Sequence, residues 1–479
     1  MPGRVILSIV IVVAAAATAG FGPTTSEPAS DPADTTPIQH VVVLFQENHS
    51  FDNVLGRFCS LADSGVIDRA HCAGATEGRL PNGHLVPLTP SPDLVTGVLH
   101  DPTSQRTAIN GGKMNGFAKI PNCWHLDCYQ QFTANHGTCG PHQNESCIRN
   151  LVTLATKFAL SDHTFEFRRS PSFGGHMAII TPSLDRFAGT EPDPSTFTKK
   201  TGPGWGCDSY RDEPWFNGTT HVKVPSCVPD SDGNGPYRPS PVLHIPTLLD
   251  LLDIGAESWK IYGAQGYAGR AALKSGYLWS VCPTFYSCIG HHSDRLVPAG
   301  DVLSDATNGD LPAYSLVTPV VFQSQHNYES MGVGDTWIGD VVQAIETGPD
   351  WDSTAIFITY DDCGCFYDHM NPMQYRANWG IRVPLVIVSP YAKPGFTDTH
   401  PATFASIIAF TEHVFSLPPL ATCKILPSPT CDDDSTAYDY MDAFDFNQTP
   451  LPPARMTKTV IPDWEWATIR AHPILDDGT

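Results

Sequence analysis

At 479 residues, with 50 acidic side chains against 28 basic ones, the chain carries a formal charge of −22 at pH 7. Such a surplus of carboxylates repels nucleic-acid backbones and anionic membrane surfaces, which excludes nucleic acid as a partner but leaves zwitterionic lipid head groups open. The length suits one large α/β domain or two ordinary ones. With no internal repeat and no long linker between residues 37 and 450, one domain with insertions is expected, over 37–455.

In chain order, Arg4 precedes an apolar stretch from Val5 to Ala17 that ends in the small residues Ala17-Thr18-Ala19. This is the layout of a secretory signal peptide, so residues 1–20 are expected to be removed, with cleavage near Ala19 or Gly20. The stretch is short for a spanning helix. No cysteine follows the small residues, so no stable membrane anchor is expected and the protein is expected outside the cell. Residues 21–36, rich in Pro, Ser, Thr and Asp, read as a flexible leader.

Val41–Phe45 is a continuous apolar run rich in β-branched residues, the pattern of a strand covered on both faces. Gln46, Glu47, Asn48 and His49 follow at once, and open α/β sheets bind ligands beyond the carboxyl ends of their strands. A carboxylate beside a carboxamide is all-oxygen ligation that suits a divalent cation, although a cap-and-turn pair reads the same way by itself. A second apolar run, Ala355–Thr359, delivers Asp361 and Asp362, and CGCFYDH then brings Asp368 and His369. Adjacent carboxylates repel unless a cation or a proton lies between them. Two acidic strand ends in one chain favour a single shared metal site of Glu47, Asn48, Asp361 and Asp362, holding one divalent ion of unspecified identity.

Val383–Val388 is a third candidate buried strand. Beyond Thr403 the residues Phe404, Ile407, Ile408, Val414 and Phe415 fall on one helical stripe. Strands alternating with amphipathic helices indicate an α/β fold. Glu191–His244 is dense in Pro, Gly, Asp and Trp, and reads as an insertion pinned by Cys207 and Cys227. It is either a cap over the site or a surface excursion. All 14 cysteines lie beyond the signal, an even number that in an oxidising compartment suggests up to seven disulfides. Cys123/Cys128, Cys282/Cys288 and Cys423/Cys431 are plausible local closures. Of the Cys363 and Cys365 pair, Cys365 is expected to be half of a disulfide, with a thiolate ligand as the alternative. The tail 456–479 carries Trp464 and Trp466, free either to pack back on the domain or to present a contact surface.

ENHSFDNVLG and TYDDCGCFYDH resemble the two signature ends of the bacterial phosphoesterase family, which includes non-haemolytic phospholipase C and secreted acid phosphatases. His100 with the following NGGKMNGFA, FALSDH, GDLPAYSLVTP, GIRVPLVIVSPYAKPG and FDFNQTP occur in the family's order, from about residue 37 to 452. The resemblance implies an α/β/α three-layer sandwich of the alkaline-phosphatase-like superfold, and a side-chain nucleophile that passes through a covalent phosphoryl intermediate. In RRSPSFGGHMAII, Ser172 aligns best with that nucleophile and Ser170 competes. Pro171 can open a helix, which places Ser172 in a first turn whose N–H groups favour an anion, with His176 one turn along. SPSFGGH is closer to the acid-phosphatase branch than to the GPT-x-PNR of the phospholipases.

His100 and His326 match family histidines, and His291 and His292 resemble the family's phosphate-side pair. Such donors stabilise charge developing on phosphoryl oxygens, or protonate a leaving alkoxide at mildly acidic pH. The absence of C/S-x-P-x-R around Ser172 argues against a sulfatase. The expected function is a secreted, metal-assisted phosphomonoesterase. A phospholipase C-type phosphodiesterase and a non-catalytic binding protein on the same fold are the alternatives. An intact quartet and nucleophile count against the last.

Overall fold

The computed structural model describes residues 36–132, 147–196, 204–264, 279–420 and 434–471. The expected signal and leader, up to residue 35, and the expected Cys423/Cys431 closure lie outside the described residues. Eight strands pair into a central sheet: β1 (His40–Gln46), β2 (Ala159–Ser161), β3 (Trp259–Ala264), β4 (Leu296–Pro298), β5 (Tyr314–Val317), β6 (Thr354–Tyr360), β7 (Leu385–Val388) and β8 (Thr397–Asp398). Their spatial order is β4-β3-β5-β1-β6-β7-β2-β8. The apolar run of β1 puts it near the middle, paired in parallel with β5 on one side and β6 on the other. β7 runs against both of its neighbours, while the remaining pairings are parallel. The three expected strands are therefore present, but the direction of β7 carries no mark in its composition.

The side-chain period of two sends alternate residues of β1 and β6 to opposite faces. On one face Phe45 meets Phe404 at 5.4 Å and Phe357 meets Phe410 at 4.9 Å, both edge-on. On the other, Tyr360 Oη donates to Gln325 Oε1 (2.6 Å), and Gln325 Nε2 donates to the Met331 carbonyl (3.1 Å). Helices thus cover both faces, giving three layers. Four of the helices matter for the site and its surroundings: α1 (Pro102–Ile109), α2 (Ser172–Ala178), α3 (Met331–Thr347) and α4 (Phe404–Val414). The hydroxyls of Ser330 and Thr403 accept from Val333 N and Ala405 N and so cap α3 and α4. Every apolar side chain of Val41–Phe45 is buried, each contributing about 1.5–3 kcal/mol to folding.

Within the insertion, Asp193–Pro194, Arg211–Phe216 and His221–Pro225 form a three-stranded antiparallel sheet, and Cys207 is bonded to Cys227 as expected. Trp205 packs on Phe173 (5.6 Å) and His176 (6.0 Å), so the insertion walls the helix that carries Ser172. The tail also packs back: Ile461 and Ile469 join Val333 of α3, and Trp466 meets Phe322. Cys59–Cys72, Cys123–Cys128 and Cys282–Cys288 are disulfides. Cys363 and Cys365 are not; they are buried thiols with sulfurs 4.0 Å apart. Gly364 and Cys365 both adopt left-handed backbone (φ 53° and 52°), and Cys363 Sγ accepts the Cys365 N–H at 3.1 Å instead of bonding its sulfur.

Candidate active site

The register of β1 and β6 sets Gln46 opposite Tyr360, so Glu47 and Asp361 leave the sheet side by side. Asp361 N donates to the Gln46 carbonyl (3.0 Å), and Asn48 N donates to Asp361 Oδ1 (2.8 Å), which ties the two strand ends together. Asn48 turns the chain out of the strand in the left-handed region (φ 59°), where Asn is better tolerated than most residues. A Cβ on Gly364 would lie 2.1 Å from the Asn48 carbonyl, so only glycine lets the second acidic turn close over the first.

Helix α2 supplies the next layer. Ser172 Oγ lies 3.3 Å from both Asn48 Oδ1 and Asp362 Oδ2, and His176 Nε2 lies 2.9 Å from Glu47 Oε1. His100 Nδ1 faces the Val98 carbonyl at 2.8 Å, which makes that nitrogen the protonated one in a neutral ring. Its Nε2 is then an acceptor and takes the Asn48 Nδ2 donor at 3.1 Å. The Asn48 carboxamide oxygen then accepts from the Ser172 hydroxyl (3.3 Å) and faces Asp361 Oδ1 (3.1 Å) and Glu47 Oε2 (3.2 Å), a placement that suits a bound cation. Without one the amide reverses to aim its NH2 at these carboxylates.

Oxygen facing oxygen is repulsive, and burial aggravates it. Burial, followed by the charge of Asp361, holds the Glu47 carboxyl well above the usual range, and burial pushes Asp361 and Asp362 to about 7. Among the described residues none of these carboxylates pairs with Lys or Arg. A second buried cluster shows the contrast. Asp52 and Asp368 share the Arg382 guanidinium at 3.1 and 3.0 Å, and His369 joins Asp52, so a side-chain cation balances that group. His369 therefore belongs to this ion network and not to the Glu47 site. The Glu47–Asn48–Asp361–Asp362 quartet fits a divalent cation, because an ion supplies the positive charge that the side chains do not.

His176 extends the quartet. One atom each from Glu47, His176 and Asp361 lies within 4.8 Å of the others, the spacing of a shared ion. Burial lowers its imidazole to about 3, so it is neutral, as a ligand must be. The sequence placed His176 on the Ser172 face of α2; its role was missed because the carboxylate it meets comes from another strand. Glu191 was missed too: its Oε1 accepts the Phe173 N–H at 3.0 Å, so one of the first-turn donors expected to face an anion is taken by the insertion.

Ser172, His100 and the four expected metal ligands thus converge. Ser170 does not join them; its side chain packs against Gly174 and Gly189. His326 stacks on Trp279 at 5.2 Å, on a segment fastened to the end of β1 through Ser324 and Gln325, whose carbonyls accept from Glu47 N and His49 Nε2. His291 and His292 are corrected. His291 Nε2 pairs with Asp230 at 2.8 Å and is half exposed, and His292 Nε2 pairs with Asp253 at 3.1 Å beside Trp259. Trp259 opens β3, at the edge of the sheet opposite the strand ends that carry the carboxylates, so these partners hold His292 away from the quartet.

A family model described as the Phosphoesterase family matches residues 38–418. The chain belongs to that family. It is a phosphoester hydrolase. It is 22% identical to "Phospholipase C A" of Mycobacterium tuberculosis over 464 residues, covering 88% of this chain and 79% of that one. It is 24% identical to "Non-hemolytic phospholipase C" of Burkholderia pseudomallei, covering 79% of this chain and 55% of that one. Among solved structures it is similar to a protein of the alkaline phosphatase superfamily from Vibrio parahaemolyticus, at 14% identity and a TM-score of 0.33, over 77% of this chain and 74% of that one.

Proposed function

We propose that the protein is a secreted phosphomonoesterase of acid-phosphatase type, with Ser172 as its nucleophile. The observation that carries this reading is the position of Ser172 Oγ, 3.3 Å from Asn48 and from Asp362 at the edge of the candidate cation site. Ser172 attacks phosphorus in line, the alcohol leaves, and water then hydrolyses the phosphoserine. Asp362 Oδ2, the carboxylate oxygen nearest to Ser172 Oγ, takes the hydroxyl proton. Glu47, Asn48, Asp361, Asp362 and His176 are the residues that would hold a divalent cation, which would supply Lewis acidity to the phosphoryl group. His100 orients the Asn48 carboxamide through its Nε2, and in this reading a histidine, His326, protonates the leaving oxygen. The SPSFGGH segment supports monoesters. The phospholipase C names of the relatives support a second reading, a phosphodiesterase acting on phospholipid head groups.

Initial rates on an aryl phosphate monoester and on a phosphocholine diester, with divalent metal supplied and Ser172→Ala in parallel, separate these readings. Monoester turnover lost in the variant supports the proposal. Preference for the diester replaces it with the second reading, and activity retained in Ser172→Ala removes the serine.

A further inference from the structure

Beside the candidate active site lies a cleft of about 730 Å³, walled by α1, by the segment leading into α2 and by the insertion hairpin. Arg106, Arg168 and Arg186 line it from three separate stretches of chain, with His221 on the hairpin side. In a chain with 28 basic residues against 50 acidic ones, three guanidinium groups around one cleft run against the composition. Arg106 donates to Thr103 Oγ1, and Arg186 lies over the Trp215 ring with the neighbouring Asp185 carboxylate in its field; among the described residues neither guanidinium makes an ion pair. Asp101 is the one acid of the lining among the described residues, and its Oδ1 caps α1 by accepting Ser104 N at 2.6 Å. Between the cationic groups the wall is apolar, with Phe187, Pro214 and Phe216.

None of the cation-site residues lines the cleft, nor does Ser172, but its walls continue into theirs. Asp101 directly follows His100, Arg168 precedes Ser172 by four residues, and Phe187 packs on Phe173 of α2 at 6.1 Å. We propose that this cleft is a subsite for a second anionic group on the substrate, a phosphate, sulfonate or carboxylate carried on an apolar or aromatic body. Arginine forks match such oxyanions in a bidentate way, and Phe187 and Phe216 face the body. The acidic surplus of the rest of the chain turns anionic membrane surfaces away, which favours a soluble ligand. The inference rests on the phosphoester reading for its substrate, but binding can be tested without turnover.

The probe is anilinonaphthalene sulfonate, titrated by fluorescence into the folded protein and into Arg106→Ala/Arg186→Ala, alongside kcat/KM for naphthyl phosphate with and without a ring sulfonate. Charge-assisted hydrogen bonds of this kind predict affinity weaker by about ten-fold or more, and a comparable fall in the preference for the sulfonated ester. His221→Asp, on a different element, is expected to weaken binding as well, and decides the matter if the double variant melts early. Unchanged affinity in either folded variant overturns the subsite. Arginine-dependent binding in a protein that hydrolyses no ester keeps the subsite and removes the phosphoester reading; normal hydrolysis without arginine-dependent preference does the reverse.

Discussion

Each of the two buried acidic clusters solves its charge problem residue by residue, and the solutions differ. Around Asp52 and Asp368 the guanidinium of Arg382 is fully buried and lies 4.1 Å from the Phe51 ring centroid. Arg382→Met would leave two buried carboxylates without their cation, and the expected loss is about 3–5 kcal/mol in denaturant unfolding. A loss below about 1 kcal/mol would mean that water or His369 balances the pair. Around Glu47 no Lys or Arg among the described residues does this work. With folded-state values raised from 3.8 to about 7, Asp361 and Asp362 make the metal-free protein lose stability as pH rises from the unfolded value towards 7. A divalent ion reverses that loss and competes with protons below it. Its stabilisation, about 2.7 kcal/mol at a hundredfold excess over Kd, is therefore expected to be larger at pH 8 than at pH 5. Thermal melts with and without chelator at the two pH values check this; an equal shift at both would detach the ion from these carboxylates.

At the scale of elements, the site depends on how closely α2 approaches the end of β6. A Cβ on Gly175 would sit 2.4 Å from the Asp361 carbonyl, and backbone on both sides leaves little room to yield. Gly175→Ala is expected to push α2 outward, moving Ser172 and His176 together. A displacement near 1 Å costs about 10²-fold in kcat, and cation affinity should fall with it because His176 moves. Unchanged kcat in a folded variant would show that α2 tolerates the shift.

The same comparison shows what a sequence can and cannot display. Apolar runs followed by Glu47-Asn48 and Asp361-Asp362 announce the strands and the ligands, because a buried strand and the turn after it are local. The i, i+4 spacing of Ser172 and His176 is local as well. The pairing of His176 with Glu47, the capping of Phe173 by Glu191 and the Arg382 network join segments from distant parts of the chain, and no periodicity encodes them. His291 and His292 misled for the opposite reason. A His-His pair looks like a site until Asp230 and Asp253, remote in sequence, take both rings.

For the whole molecule, the charge of −22 governs long-range behaviour that no single pair determines. Like charges spread over a surface repel, and the compact state bears more of that repulsion than the expanded chain. Salt screens it, with a Debye length near 30 Å at about 0.01 M falling to about 10 Å at 0.1 M. At pH 8 the Tm is therefore expected to rise by several degrees as monovalent salt increases over roughly that range. Near the sequence pI of about 5.1 the net charge vanishes, and the same salt should leave Tm nearly unchanged. Calorimetry at both pH values with a chelator present isolates this effect from the cation site, whose carboxylates are buried and far less screened. If Tm instead falls with salt at pH 8, local attractive pairs such as Arg295–Asp253 and Lys260–Asp305 outweigh the global repulsion, and the acidic surplus is compensated where it matters.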